Sequence, residues 1–114
     1  MKNQEHLYIL WTNADVKTAE FMVFMYATNA KLRGWWNEVT LVIWGATAEL
    51  TAKDEHIQLL IKRAQDAGVK VEACQACAVA FGIKSQLEDL GIKVFSWGPE
   101  LTRIIKEEDN LITI

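Results

Sequence analysis

Short apolar or alternating runs recur along this chain, separated by stretches with helical periodicity. Leu7-Tyr8-Ile9-Leu10-Trp11 reads as a buried strand. Val39 to Trp44, β-branched at Val39, Thr40, Val42 and Ile43, reads as a second. Val69-Lys70-Val71-Glu72-Ala73, Ile92-Lys93-Val94-Phe95 and Leu111-Ile112-Thr113-Ile114 supply three more. Between the first two, Thr12-Asn13-Ala14-Asp15 is rich in capping residues, and no Gly or Pro interrupts the chain from there to Arg33. That stretch predicts a helix with Ala19, Met22, Val23, Tyr26, Ala27 and Ala30 on one face, and with Phe21, Phe24 and Met25 on others. Gly34 ends it.

Further on, Thr51-Ala52-Lys53-Asp54 resembles a capping box with Asp in place of Glu. Ile57, Leu60, Ile61 and Ala64 follow at helical spacing, and Gly68 is placed to cap the C-terminus. A short helical stretch runs to Gly82, and Ser85-Gln86-Leu87-Glu88 predicts the start of another, ended by Gly91. Pro99 suits the first position of a last helix that buries Leu101, Ile104 and Ile105.

The resulting order is βαβαβαβαβ. Such alternation predicts a five-stranded parallel sheet with helices on both faces, a three-layer α/β/α architecture in a single domain spanning 1–114. Asp66-Ala67-Gly68-Val69-Lys70-Val71 and Asp89-Leu90-Gly91-Ile92-Lys93-Val94 use the same helix end, glycine and strand twice.

Composition narrows the function. Hydrophobic residues make up 51% of the chain, ample for a packed core and too many for disorder. The net charge is −3 with basic residues scattered among acids, so nucleic acid is not an expected partner. No apolar run approaches the ~20 residues that cross a bilayer, and the first residues lack the apolar core of a secretory signal, so a cytoplasmic location without membrane contact is expected. Two cysteines and two distant histidines (His6 and His56) match no familiar metal spacing, and neither metal nor cofactor is expected.

Open parallel sheets bind ligands beyond the carboxyl ends of their strands. Those ends place Thr12, Asn13, Gly45, Thr47, Trp97 and Gly98 as candidate substrate-binding residues. The end of the third strand carries Cys74-Gln75-Ala76-Cys77, the candidate catalytic pair. A thiol at a strand-to-helix turn meets unpaired N–H groups, which predicts a lowered pKa and raised nucleophilicity at neutral pH. Free cysteine also serves as a small buried hydrophobe, and tryptophan at a strand end usually packs in a core or an interface.

The stretch Gly68-Val69-Lys70-Val71-Glu72-Ala73-Cys74, with Ala76, Ala78 and Gly82-Ile83, resembles the DsrE-like family, which includes subunits of bacterial sulfur-relay complexes. Leu87-Glu88-Asp89-Leu90-Gly91-Ile92, Gly98-Pro99-Glu100-Leu101-Thr102 and Leu41-Val42-Ile43-Trp44-Gly45 are similar too. The resemblance implies strand order 4-3-2-1-5. It assigns to Cys74 the role of carrying sulfur as a persulfide, taken from a donor protein and passed to an acceptor, a sulfurtransferase-like activity. Cys77 is a thiol that the relay subunits need not have at this position. It either resolves a Cys74 persulfide or packs. Two other readings stay open, a non-catalytic ligand- or protein-binding module and a dithiol redox protein using Cys74 and Cys77.

Assembly is the last expectation. A sheet covers one side of a helix, so Phe21, Phe24 and Met25 need another partner, and Trp35-Trp36 adds exposed aromatic surface. The expected cover is a second copy of the chain, and the resemblance implies a homotrimer or hexamer.

Overall fold

A computed structural model describes residues 5–114. Strands β1 (His6–Trp11), β2 (Glu38–Ile43), β3 (Lys70–Cys74), β4 (Lys93–Phe95) and β5 (Asn110–Thr113) form a five-stranded sheet of order 4-3-2-1-5. Every pairing is parallel. From β1 to β4 the chain steps across the sheet in one direction, so right-handed crossovers stack their helices on one face. Only the return from β4 to β5 reverses, and it carries its helix beneath the other face.

The crowded face holds α1 (Val16–Thr18), a π-helical segment Ala19–Phe24, α2 (Met25–Leu32), α3 (Ala46–Lys53), α4 (Glu55–Asp66), α5 (Gln75–Ala80) and α6 (Lys84–Asp89). Its core joins Leu7, Ile9, Trp11, Val39, Leu41, Ile43, Val71 and Ala73 of the sheet to Val23, Phe24, Ile57, Ile61 and Leu87 of the helices. The opposite face carries α7 (Trp97–Lys106), and its smaller core joins Tyr8, Val42 and Cys74 to Trp97 and Ile104.

The repeated glycine turn is one structure used twice. Val69 N–H donates to Ala64 O and Gly68 N–H to Gln65 O, while Ile92 N–H donates to Leu87 O and Gly91 N–H to Glu88 O. Both are helix ends closed by crossed backbone bonds.

Several local expectations are corrected. The first helix is not α throughout, since Met25 N–H bonds to Glu20 O, five residues back. The wider turn rotates the sequence relative to an ideal wheel. Phe24 is carried inward, 2% exposed and edge-on to Trp11 at 5.1 Å, whereas Met22 turns outward. Phe24 therefore needs no second chain to cover it. Thr51 does not start a helix. It lies within α3 and donates to Thr47 O at 2.7 Å, and Asp54 is the N-cap of α4, accepting from Ile57 N–H at 2.9 Å. Helix α6 begins at Lys84 with no side-chain cap, so Ser85 lies inside it. Helix α7 begins at Trp97, which puts Pro99 at its third position, still within the turn where no amide is needed. On α7, Ile104 is buried but Ile105 faces solvent.

Candidate functional site

Strand alternation decides which way the first cysteine points. Val71 and Ala73 face the crowded side, so Glu72 and Cys74 face α7. Cys74 is the last residue of β3 and the N-cap of α5, and it is 5% exposed among Tyr8, Val42, Trp97 and Ile104. The side chain therefore ends in a core and not at the surface. Cys77, in the first turn of α5, is half-buried and touches both hydrophobic cores. Both thiols are free.

The β2–β3 pairing places Ile43 opposite Ala73, so the chain just beyond β2 lies beside the cysteines. There, Gly45 N–H donates to Cys77 Sγ at 3.2 Å. Its aim is set by neighbours. The Thr47 hydroxyl donates to Trp11 O at 2.8 Å, accepts from Trp44 N–H at 3.2 Å, and so fixes the ends of β1 and β2 together. Thr47 is fully buried and acts as a brace for the loop. Gly45 has φ 71° and ψ −131°, a backbone region open essentially to glycine alone. No heavy atom lies within 4 Å of where its Cβ would be, so the loop is open on that side.

The electrostatics of Cys77 oppose the expected activation. Burial pushes its thiol up, the Gly45 amide pulls it down, and the adjoining Cys74 thiol pushes it up again, for a net rise. Helix α5 has only six residues. The donor that meets the sulfur belongs to Gly45 on a different loop.

The other candidates fall in different places. Thr12 and Asn13 are exposed, and their N–H groups donate to Ile114 O, closing the β1–β5 edge. Asn13 Oδ1 also accepts from Asp15 N–H at 2.9 Å. Trp97 is 1% exposed, and its Nε1–H donates to Glu72 Oε1 at 3.1 Å. It is a wall of the Cys74 core, and with Glu72 and Tyr8 it also lines a cavity of about 280 Å³. Gly98 is exposed in the first turn of α7, where its carbonyl accepts from the Thr102 hydroxyl. The structure thus gathers Gly45, Cys74 and Cys77, with Thr47 and Trp97 as supports, and leaves Thr12, Asn13 and Gly98 on other contacts. Glu72, the half-buried partner of Trp97, was not singled out in the sequence. The alternation Lys70, Glu72, Cys74 puts it on the same face as Cys74.

Among the described residues no group of three or more His, Cys, Asp or Glu is placed to hold a metal ion. None of their helices is long and apolar enough to cross a membrane.

A sequence model of the DsrE/DsrF-like family matches residues 6–114. This chain belongs to the DsrE/DsrF-like family. A conserved protein of unknown function from Bacteroides thetaiotaomicron has a similar structure, with a TM-score of 0.95, 38% identity, and coverage of 96% of this chain and 95% of that one. The ychN protein from E. coli superposes with a TM-score of 0.72 at 16% identity, covering 96% and 99% of the two chains, a likeness of fold alone. No curated protein matches this chain.

Proposed function

We propose that this DsrE-like protein accepts sulfane sulfur at the Cys74–Cys77 pair as a cysteine persulfide and passes it on. The observation that carries the reading is the hydrogen bond from Gly45 N–H to Cys77 Sγ beside a second free thiol, at the carboxyl edge of the sheet. A backbone amide aimed at sulfur stabilises a thiolate or a persulfide anion more than a neutral thiol. Uptake is exchange, with a protein thiolate attacking the outer sulfur of a donor persulfide and the donor leaving as its thiolate. Family resemblance assigns the carried sulfur to Cys74, and the donor and acceptor would be proteins presenting thiols of their own.

Intact mass after treating the reduced protein with inorganic polysulfide tests this. Gain of one sulfur atom, or conversion of the pair to a disulfide, supports sulfur acceptance. A protein that stays unmodified, with both thiols inert to alkylation while folded, would instead use this fold as a non-catalytic binding module.

A second copy of the chain is the proposed cover for Phe21, Met22, Met25 and Trp35, which are 62%, 42%, 47% and 55% exposed. Grooves of about 210 and 250 Å³ flank the Phe21–Met25 ridge. A ridge between apolar grooves suits packing against a like surface, and closed symmetric assemblies such as a trimer or hexamer use such patches.

A further inference from the structure

We infer that Cys77 is the thiol where sulfur enters, and that Cys74 is the resolving thiol that displaces it as hydrosulfide, leaving a Cys74–Cys77 disulfide. This rests on the reading that the pair accepts sulfane sulfur, and it assigns an order and a product to that site.

Access decides the order. A donor persulfide must bring its outer sulfur onto the attacking sulfur, which requires an open approach. Cys74 is 5% exposed beneath Trp97, Val42 and Tyr8, so a bulky donor cannot reach it without parting that core. Cys77 is half-buried, and the loop that meets its sulfur is open where a Gly45 side chain would stand. The Gly45 amide holds the sulfur of Cys77, the place where negative charge gathers during uptake.

Proximity decides the product. Cys74 is the N-cap of the helix whose first turn carries Cys77, and Cys77, with its Sγ, packs against the core that holds Cys74. That atom becomes the inner sulfur of a Cys77 persulfide. In the first step the Cys77 thiolate attacks the donor's outer sulfur. The donor S–S bond breaks, the donor leaves as a thiolate, and Cys77 holds the persulfide. In the second step the Cys74 thiolate attacks the inner sulfur. The Cys74–Cys77 bond forms, and the outer sulfur leaves with the electron pair of the broken bond as hydrosulfide. The two cysteine thiols have been oxidised and the sulfane sulfur reduced. A low-molecular-weight thiol, consumed as its own disulfide, returns the pair to the reduced form. The partner implied is therefore a thiol reductant as well as a sulfur donor.

The experiment treats the reduced wild type, Cys74→Ser, Cys74→Ala and Cys77→Ser with inorganic polysulfide and follows intact mass and peptide maps with time. The wild type should lose two hydrogens as the disulfide forms, without lasting gain of sulfur. Both Cys74 variants should keep one extra sulfur, mapped to Cys77, and the agreement of Ser with Ala separates the result from a folding defect. Cys77→Ser should take up sulfur about tenfold more slowly or not at all. If Cys77→Ser gains sulfur on Cys74 as fast as the wild type reacts, the order is overturned while sulfur acceptance stands. If the wild type keeps a stable persulfide and forms no disulfide, the resolving role is overturned. If no form of the protein reacts, sulfur acceptance itself fails.

Discussion

Gly45 N–H and Cys77 Sγ meet at 3.2 Å although the residues are 32 apart in sequence. The contact depends on a backbone conformation at Gly45 that a Cβ disfavours. Gly45→Ala has room for its methyl but not the conformation, so it should destabilise the protein by about 1–3 kcal/mol. Turning the amide away would also remove the hydrogen bond from outside α5 that lowers the Cys77 pKa. Thermal melting and the pH profile of Cys77 alkylation, in a Cys74→Ser background, check both effects. An unchanged melting point and profile would show that the loop does not need this conformation.

The raised pKa of Cys77 has a kinetic and a thermodynamic consequence. Because burial is the main cause, Cys77 is a protonated thiol at neutral pH, and its alkylation should climb with pH beyond the point where an exposed thiol levels off. The folded protein holds the proton more tightly than the unfolded chain. The stabilisation is therefore complete below the ordinary thiol value of 9.0 and is lost as pH rises through the elevated folded value. Denaturant midpoints from about pH 9 upward, wild type against Cys77→Ser, should converge as pH rises.

Trp97 separates a core role from a binding role. Trp97→Phe keeps an aromatic ring but removes the indole donor to the half-buried Glu72 Oε1, a cost of about 0.5–1.5 kcal/mol. Trp97→Ala should cost about 3–5 kcal/mol and leave a cavity beside Cys74. Alkylation of Cys74 in a Cys77→Ser background should then accelerate. Unaltered stability in both variants would return Trp97 to the list of substrate contacts.

Acid sensitivity should come from His6. Its ring stacks on Tyr8 at 4.0 Å, with Nε2 2.8 Å from Thr40 Oγ1 and Nδ1 3.2 Å from Glu38 Oε2. Burial lowers its pKa from 6.5. Glu38 and Asp109 oppose the shift, and Lys70 and Arg103 reinforce it. A lowered folded pKa means the stabilisation is present above 6.5 and fades as pH falls through the folded value. The denaturant midpoint should drop between about pH 7 and pH 5, and His6→Asn should flatten that slope. Parallel slopes for both proteins would move the acid sensitivity elsewhere.

Assembly is checked by light scattering at micromolar concentration. At roughly 25 cal/mol per Å² of apolar surface, exposing Phe21, Met22, Met25 and Trp35 forfeits several kcal/mol that a second copy would recover. The wild type should be a closed oligomer, and Phe21→Lys with Met25→Lys should shift it to monomer while leaving its circular dichroism unchanged. A monomeric wild type would end that proposal.

The alternation of strand and helix, the parallel sheet, its order by resemblance and the two-cysteine turn were all legible in the sequence. They rest on periods of two and near four, on punctuating glycines, and on motifs a few residues long, all local signals. Helix boundaries were less legible, because Thr51 and Ser85 look like caps but lie inside helices already begun at Ala46 and Lys84. The face taken by Phe24 was not legible either. A π-helical turn shifts the phase of every residue after it, and packing against Trp11 accompanies it in the folded chain.

Within the site, the spacing of Cys74 and Cys77 belongs to the sequence alone, but their environments belong to the tertiary structure. Cys74 is buried because the single reversed crossover lays α7, with Trp97, over the end of β3. Cys77 meets an amide because the β2–β3 register sets Ile43 beside Ala73 and so brings Gly45 alongside α5. Burial and hydrogen bonding, which govern a thiol's pKa and reach, are sums over neighbours distant in the chain. A local pattern names the residues that can react, and only the assembled sheet decides which sulfur is covered and which is held.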